Sequence, residues 1–282
     1  MHALFSPRAR LRGLLAVALL SLGVARAEVG PDAARQLVRD SGTAAQLAQL
    51  PDAVFNAAAE TAQALNLPPA LRPALERAAR QAFQPQRLLA TTEAAVARDL
   101  DATAAAAALS WWRSADGQRI RQLEDACSAR QARDLSGWMA HANAAHAAAG
   151  APRRLRLDGI ERAVQGAELM ADLQIQAVGA LLDGLAGAAP PQAAREMQGA
   201  RQQMQRQRPQ MVAAGRGMLQ SMLAGCYLQA SDAELDRYLA FLRSPEGRRA
   251  TQALLRGVGL ALSDGAQAFG RSLPGVIAAA PR

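Results

Sequence analysis

The stretch Phe241-Leu242-Arg243-Ser244-Pro245-Glu246-Gly247 indicates how this chain folds, because an earlier stretch, Trp111-Trp112-Arg113-Ser114-Ala115-Asp116-Gly117, has the same pattern. Each has two large apolar residues, then Arg-Ser, a small residue or proline, an acidic residue and glycine. Serine favours the N-cap of a helix, proline its first position and an acidic residue its first turn. Both stretches therefore predict a corner between two helices, and we name them the first corner (111–117) and the second corner (241–247).

The individual corner residues have distinct predicted roles. Ser114 and Ser244 end one helix and cap the next, and Pro245 occupies the first position of the new helix. The glycines, Gly117 and Gly247, allow close approach of a neighbouring helix. The bulky pairs at the start of each corner, Trp111 with Trp112 and Phe241 with Leu242, hold it in the core. A structural corner is favoured over a ligand site.

The composition predicts an all-α fold. Half of the 282 residues are hydrophobic, but only 4% are aromatic and alanine is abundant. Alanine favours helices, whereas strands favour β-branched and aromatic residues, and no alternating run of strand length is present.

The order of landmarks along the chain predicts a helical array built from two tandem, diverged repeats. Three landmarks recur with offsets of 122, 124 and 130 residues: Pro68-Pro69 with Pro190-Pro191, Pro85 with Pro209, and Ser114 with Ser244. Three matches in the same order favour an internal duplication. The repeats are expected to span 28–150 and 151–282, to join near Gly150-Ala151-Pro152, and to pack as one unit.

Residues 1–27 have the pattern of a secretory signal peptide. Arginines at 8, 10 and 12 precede an apolar stretch from Leu14 to Val24, and Ala25-Arg26-Ala27 forms a cleavage site before Glu28. The apolar stretch is too short to span a membrane, and the rest of the chain has no longer one. We expect an exported protein, cleaved after Ala27, in a bacterial periplasm, without a transmembrane anchor in the mature chain.

The charge of the chain does not favour nucleic-acid binding. All 32 basic residues are arginine, and four of them lie in the first 27 residues, which leaves 28 against 24 acidic residues. These arginines are scattered among acidic residues rather than clustered, so a solvated helix surface is favoured over a nucleic-acid site.

Three details of the helices can be predicted. Pro51 is expected to restart a helix, Ser136-Gly137 to kink a long helix that follows Gly117, and one helix to run from Leu155 through Leu182.

The second repeat resembles the domain of unknown function 2059 family of exported bacterial proteins. In that family a capped acidic helix leads to an aromatic-rich turn, Ser-Pro-x-Gly and a basic helix. The matching residues are Ser231, Glu234, Leu235, Tyr238, Phe241, Ser244, Pro245, Gly247 and Arg248. The first repeat matches less closely, with Ala115 in place of the proline. The resemblance implies an exported helical domain and no particular activity.

Cys127 and Cys226 are the only cysteines, and both lie on apolar helix faces. In an oxidising compartment a disulfide between the two halves is slightly favoured over two buried thiols.

A methionine series is spaced by sevens, Met197, Met204, Met211 and Met218, with Met222 added. Thioethers bind Cu(I), but ligands two turns apart cannot share one ion, so these residues are expected to line the core or a groove.

No catalytic residue, cofactor or metal ligand is predicted. His141 and His146 are five residues apart and diverge by about 140° on a helix, unlike a zinc-binding pair. Acidic residues such as Glu124 and Asp125 are expected to be helix-surface charges rather than a paired acid and base. A hydrolase assembled from distant residues is left open, but no catalytic motif supports it.

The sequence therefore favours a non-enzymatic exported helical module that binds a protein partner or supports the envelope. The alternative is a carrier that holds an apolar ligand, such as a lipid, between the two halves.

Overall fold

The protein is all-α in the computed structural model, which describes residues 29–64, 69–186 and 190–278. No strand is present in these ranges. The helices are α1 (Pro31–Asp40), α2 (Thr43–Ala64), α3 (Arg72–Ala82), α4 (Pro85–Asp99), α5 (Ala102–Arg113), α6 (Ala115–Arg133), α7 (Leu135–Ala148), α8 (Ala151–Val164), α9 (Gly166–Ala186), α10 (Pro191–Arg206), α11 (Arg208–Cys226), α12 (Asp232–Arg243) and α13 (Pro245–Ala278). A single 3₁₀ turn, Pro69–Leu71, leads into α3.

Two hydrophobic clusters form most of the core. The larger one joins α1, α4, α5, α6, α8, the end of α11, α12 and the start of α13, with Leu37, Ile120 and Leu235 fully buried. The second lies between α2, α3, α4 and the C-terminal half of α13, where the ring of Phe83 lies close to Gly265. Since α13 contributes to both clusters, this helix connects the two regions of the core.

The helix starts follow local sequence rules. Asp101 accepts a hydrogen bond from the backbone N–H of Ala104, and Ser231 forms a capping box with Glu234. Pro31, Pro85 and Pro191 stand at the first position of their helices, where a missing N–H costs nothing.

The three detailed helix predictions were wrong. Pro51 lies inside α2, which continues through it from Thr43 to Ala64. The long helix after the first corner breaks at Asp134, before Ser136-Gly137, because the Asp134 carboxylate accepts the N–H of Gly137 and caps a new helix. The helix from Leu155 breaks at Gln165, which has left-handed backbone angles (φ 50°, ψ 40°).

Two predictions extend beyond what the structure tests. The predicted signal peptide at 1–27 lies outside the described residues. The duplication of the two halves stays a prediction, although the helix order around the corners is alike in both. Within the described ranges, no helix is both long and apolar enough to cross a membrane.

Candidate functional site

The two corners have the same hydrogen bonds. The Ser114 hydroxyl donates to the carbonyl oxygen of Trp111 (2.6 Å) and accepts the N–H of Gly117 (3.1 Å). The Ser244 hydroxyl donates to the carbonyl oxygen of Phe241 (2.7 Å) and accepts the N–H of Gly247 (2.9 Å). Each serine therefore both terminates one helix and caps the next, as predicted.

Each corner glycine is required by a close backbone approach. A Cβ at Gly117 would overlap the carbonyl oxygen of Trp111, and a Cβ at Gly247 would overlap that of Phe241. Each glycine therefore allows its helix to start in close contact with the end of the preceding helix. The close approach is not to a separate neighbouring helix.

An aromatic cluster joins the corners. Trp111 stacks on Phe241 with 4.8 Å between ring centroids and 7° between ring planes. Trp112 contacts Tyr238 edge to face at 6.2 Å, and Tyr238 contacts Tyr227 in the same manner. These rings fill the space between the ends of α5 and α12. The bulky corner residues therefore hold the two corners against each other.

Ion pairs cross the same junction. Arg237 of α12 binds Asp116 of the first corner through Nε and Nη2, both at 2.8 Å, which is a bidentate arrangement. Arg249, which follows the second corner, lies 3.3 Å from Asp101 at the start of α5. Ion pairs therefore connect α12 to the first corner and the start of α13 to the start of α5.

Glu124 lies beside this cluster and is half-buried, and its carboxylate meets two tyrosines instead of being a free surface charge as predicted. Its Oε1 accepts the hydroxyl of Tyr227 at 2.6 Å, and the Tyr238 hydroxyl lies 3.5 Å away. Burial raises the pKa of Glu124 to about 7, against the lowering effect of Tyr227 and Arg121. Asp125, in contrast, is exposed and pairs with Arg121, as a surface charge should.

Cys127 of α6 and Cys226 of α11 form a disulfide, with 5.1 Å between their Cα atoms and 99 residues between them in sequence. It confirms the favoured pairing and links the two halves of the chain. Trp138 and Ala142 of α7 pack around it, and Gly225 allows α7 to approach α11 closely.

A fully buried acid lies between α8 and α11. Glu161 is fully buried; it accepts the N–H of Ala167 and pairs with Arg216 (3.2 Å), which also contacts Glu168 (2.6 Å). A buried carboxylate without such partners would be costly, so Arg216 is needed for the packing of α8.

A groove of about 570 Å³ runs along α8 between α7 and α11. Its wall includes the arginines Arg154, Arg162 and Arg216, and Leu155 is 70% exposed there. Arg162 pairs with Asp158 of the same wall and Arg216 pairs with Glu161, whereas Arg154 has no ion pair with a described residue. The groove therefore combines apolar side chains with the cationic group of Arg154, which suits an amphiphilic anion better than a purely apolar molecule.

The predicted methionine series lies outside the buried core. Met197, Met204, Met211 and Met222 are half-buried, and Met218 is 40% exposed. Met222 packs against the cluster around Cys127, Trp138 and Ala142, and none of the five is fully buried, so the choice between core and groove lining stays a prediction.

The two histidines lie in different surroundings. His141 faces a depression near Trp138, and His146 lies on the wall of the α8 groove. Within the described residues, no group of three or more His, Cys, Asp or Glu is arranged to hold a metal ion.

Sequence reasoning missed that Glu124 is half-buried and Glu161 fully buried, although a signal was present. Glu124 belongs to the series Ile120, Leu123, Glu124, Cys127, and Glu161 to Leu157, Ile160, Glu161, Val164. Both acids occupy the i+4 position of an apolar stripe with i, i+3, i+4, i+7 spacing, which predicts burial on a helix.

No protein-family model, curated protein or solved structure matches this chain. The resemblance to the domain of unknown function 2059 family therefore stays a prediction.

Proposed function

We propose that this chain is a non-enzymatic exported protein, located in the periplasm, that binds a protein partner or supports the envelope. The Cys127–Cys226 pair supports the compartment, because stable disulfides form mainly outside the cytoplasm. The predicted signal peptide agrees with it.

The observation that carries the binding part of this proposal is the half-exposed methionine series on α10 and α11. Methionine side chains are flexible and polarisable, so they suit surfaces that accept partner proteins. The polar groups elsewhere, such as Glu161, Arg216 and Asp116, are engaged in ion pairs that hold helices together.

The experiment is expression of the full chain in a Gram-negative host, followed by osmotic shock and in-cell cross-linking. We expect the protein in the shock fraction with Glu28 as its first residue, cross-linked to a defined partner identified by mass spectrometry. Retention in the cytoplasm with an intact N-terminus would contradict export. A chain that remains free of cross-links across growth conditions would contradict partner binding.

A second candidate function is carriage of an amphiphilic ligand. The groove along α8 favours it, since a volume of about 570 Å³ lies in the range of small-ligand sites and combines Leu155 with Arg154. Native mass spectrometry of gently purified protein tests this function. A lipid-sized mass adduct that Leu155→Glu abolishes would support it, and apo protein alone would refute it.

A further inference from the structure

The disulfide lies at the base of a helical hairpin formed by the end of α6 and the start of α7, and we name residues 128–142 the α6–α7 hairpin. None of the residues 128–137 is buried, and Leu135 near the tip is 61% exposed. Within the hairpin only Trp138 and Ala142 are buried. The tip of the hairpin therefore has no apolar core of its own.

Helix α11 is the main support of this hairpin. Among the described helices, only α11 and the preceding α6 contact α7 extensively. Trp138, Ala142 and Cys127 form a small cluster, separate from the two large ones, and Met222 packs against it. Gly225 permits this packing, because a Cβ there would lie 2.9 Å from the Cβ of Ala142. The hairpin is thus held on α11 by one small apolar cluster and one covalent bond.

The C-terminal end of α7 is fixed differently. Ala145, beyond the hairpin, packs against the larger core cluster, and Ala149 at the end of the helix is only 9% exposed. This end does not depend on the disulfide cluster. It can therefore act as the hinge about which the rest of α7 moves.

The two sulfur atoms differ in their surroundings. Cys226 is half-buried, whereas Cys127 is only 4% exposed, so an incoming thiolate reaches the sulfur of Cys226 more readily. Gln131 donates a hydrogen bond from Nε2 to Sγ of Cys127 (3.3 Å). This bond stabilises the negative charge that Sγ acquires when the S–S bond breaks, and a stabilised thiolate leaves faster. The geometry favours attack at Cys226 with Cys127 as the leaving group.

We propose that the Cys127–Cys226 disulfide is a redox switch, and that its reduction by a dithiol releases the α6–α7 hairpin from α11. The first thiolate of the dithiol bonds to Sγ of Cys226, the S–S bond breaks, and Cys127 leaves as a thiolate. The second thiolate of the dithiol then displaces Cys226 from the mixed disulfide and closes the dithiol's own disulfide. The two protons from the dithiol end on Cys127 and Cys226.

Reduction leaves the hairpin with its apolar contacts alone, and opening it exposes Trp138 and the α11 surface around Met222. This switch goes beyond the proposed partner binding and does not depend on it.

The test is native-state amide hydrogen exchange of the full mature chain at low urea concentrations, oxidised or reduced with dithiothreitol. In the reduced chain we expect α7 amides to exchange at least about ten-fold faster than those of α12, and independently of urea, because local opening exposes little surface. In the oxidised chain both helices should exchange with the same urea dependence, since the disulfide ties α7 to the rest of the fold. Circular dichroism should show both forms folded.

Two variants serve as controls. Cys127→Ala/Cys226→Ala should behave as reduced wild type, with or without dithiothreitol. Leu135→Ala, at the exposed tip, should leave α7 exchange in the oxidised chain within about two-fold of wild type. The proposal is overturned if α7 exchanges by local opening in both redox states, if it does so in neither, or if reduction unfolds the whole chain.

The order of bond breaking is tested with glutathione, whose single thiol forms a mixed disulfide that can be trapped with iodoacetamide. Mass mapping should find glutathione on residue 226 and the alkyl group on residue 127. Gln131→Ala should slow this step by about two-fold or more, whereas Gln122→Ala, at an exposed position of the same helix, should not. Glutathione on residue 127 would overturn the assignment of Cys127 as the leaving group.

Discussion

The indole of Trp111 lies flat against the ring of Phe241, and these two residues hold the same position in the two corners. Contact between like positions is the arrangement that a local two-fold axis produces. The buried positions agree with it, since Ala105, Leu109 and Ile120 have buried counterparts 130 residues later in Leu235, Leu239 and Ala250. The junction between the corners thus joins two similar surfaces.

The close approach at Gly247 predicts a large loss of stability in Gly247→Ala. The new Cβ would overlap the carbonyl oxygen of Phe241, so α13 would have to move away from α12. We expect the free energy of unfolding to fall by about 2 to 4 kcal/mol, measured by urea denaturation. Gly259→Ala is the matched control within α13, because nothing lies within 4 Å of its added Cβ. There a gain of up to about 1 kcal/mol is expected from helix propensity. Equal behaviour of the two variants would contradict the role of Gly247.

The hydroxyl of Thr92 predicts a stabilising substitution. Thr92 is fully buried, and its Oγ1 has no hydrogen-bond partner among the described residues. Thr92→Val keeps the shape and removes the unsatisfied hydroxyl, so unfolding should cost about 1 kcal/mol more. Thr103→Val, at an exposed position of α5, should change stability by less than about 0.5 kcal/mol. A loss of stability in Thr92→Val would show that the hydroxyl is satisfied.

The disulfide should contribute strongly to stability. It closes a loop with a sequence separation of 99 residues, and restriction of the unfolded chain predicts a contribution of about 4 to 5 kcal/mol. Cys127→Ala/Cys226→Ala should therefore unfold at a much lower urea concentration than oxidised wild type. Reduction of wild type should move its transition toward that of the variant. Peptide mapping without reductant must recover residues 127 and 226 in one cross-linked fragment.

The Glu124 carboxyl predicts a pH dependence of stability. Its pKa is about 7 in the folded protein and about 4.5 when unfolded, so the folded state holds this proton more tightly. The resulting stabilisation is complete below about pH 4.5 and is lost as the pH rises through 7, by up to about 3 kcal/mol. Carboxylates with lowered pKa values, such as Asp99 and Glu234, act in the opposite direction but at lower pH.

Urea midpoints between about pH 5 and pH 8 measure this effect. Glu124→Gln should flatten the dependence, because the amide does not ionise, whereas Asp125→Asn at the exposed neighbour should preserve it. A wild-type midpoint that stays constant across this interval would contradict the raised pKa.

Much of the fold could be predicted because helix ends are decided locally. Ser114, Ser244 and Asp101 cap helices through atoms three residues away, so short stretches of sequence contain the whole interaction. The prediction that Pro51 starts a helix was wrong, because proline is common at the first position of a helix but here lies inside α2.

The candidate sites were less predictable, because they depend on which helix faces meet. The cap at Asp134 ends α6 by a local interaction, but its consequence, the packing of α7 on α11, depends on which helix faces meet. Likewise, the spacing of seven predicts that methionines of one helix share a face, but it does not predict which helix packs on that face.

The sequence by itself determined the all-α class, the two corners and most helix ends, since capping, proline placement and apolar periodicity act over a few residues. Only the tertiary structure decided that Trp111 stacks on Phe241, that the Tyr227 hydroxyl donates to Glu124 and that Cys127 meets Cys226. These contacts join residues about a hundred positions apart, so they depend on how whole helices pack and not on interactions within a few residues.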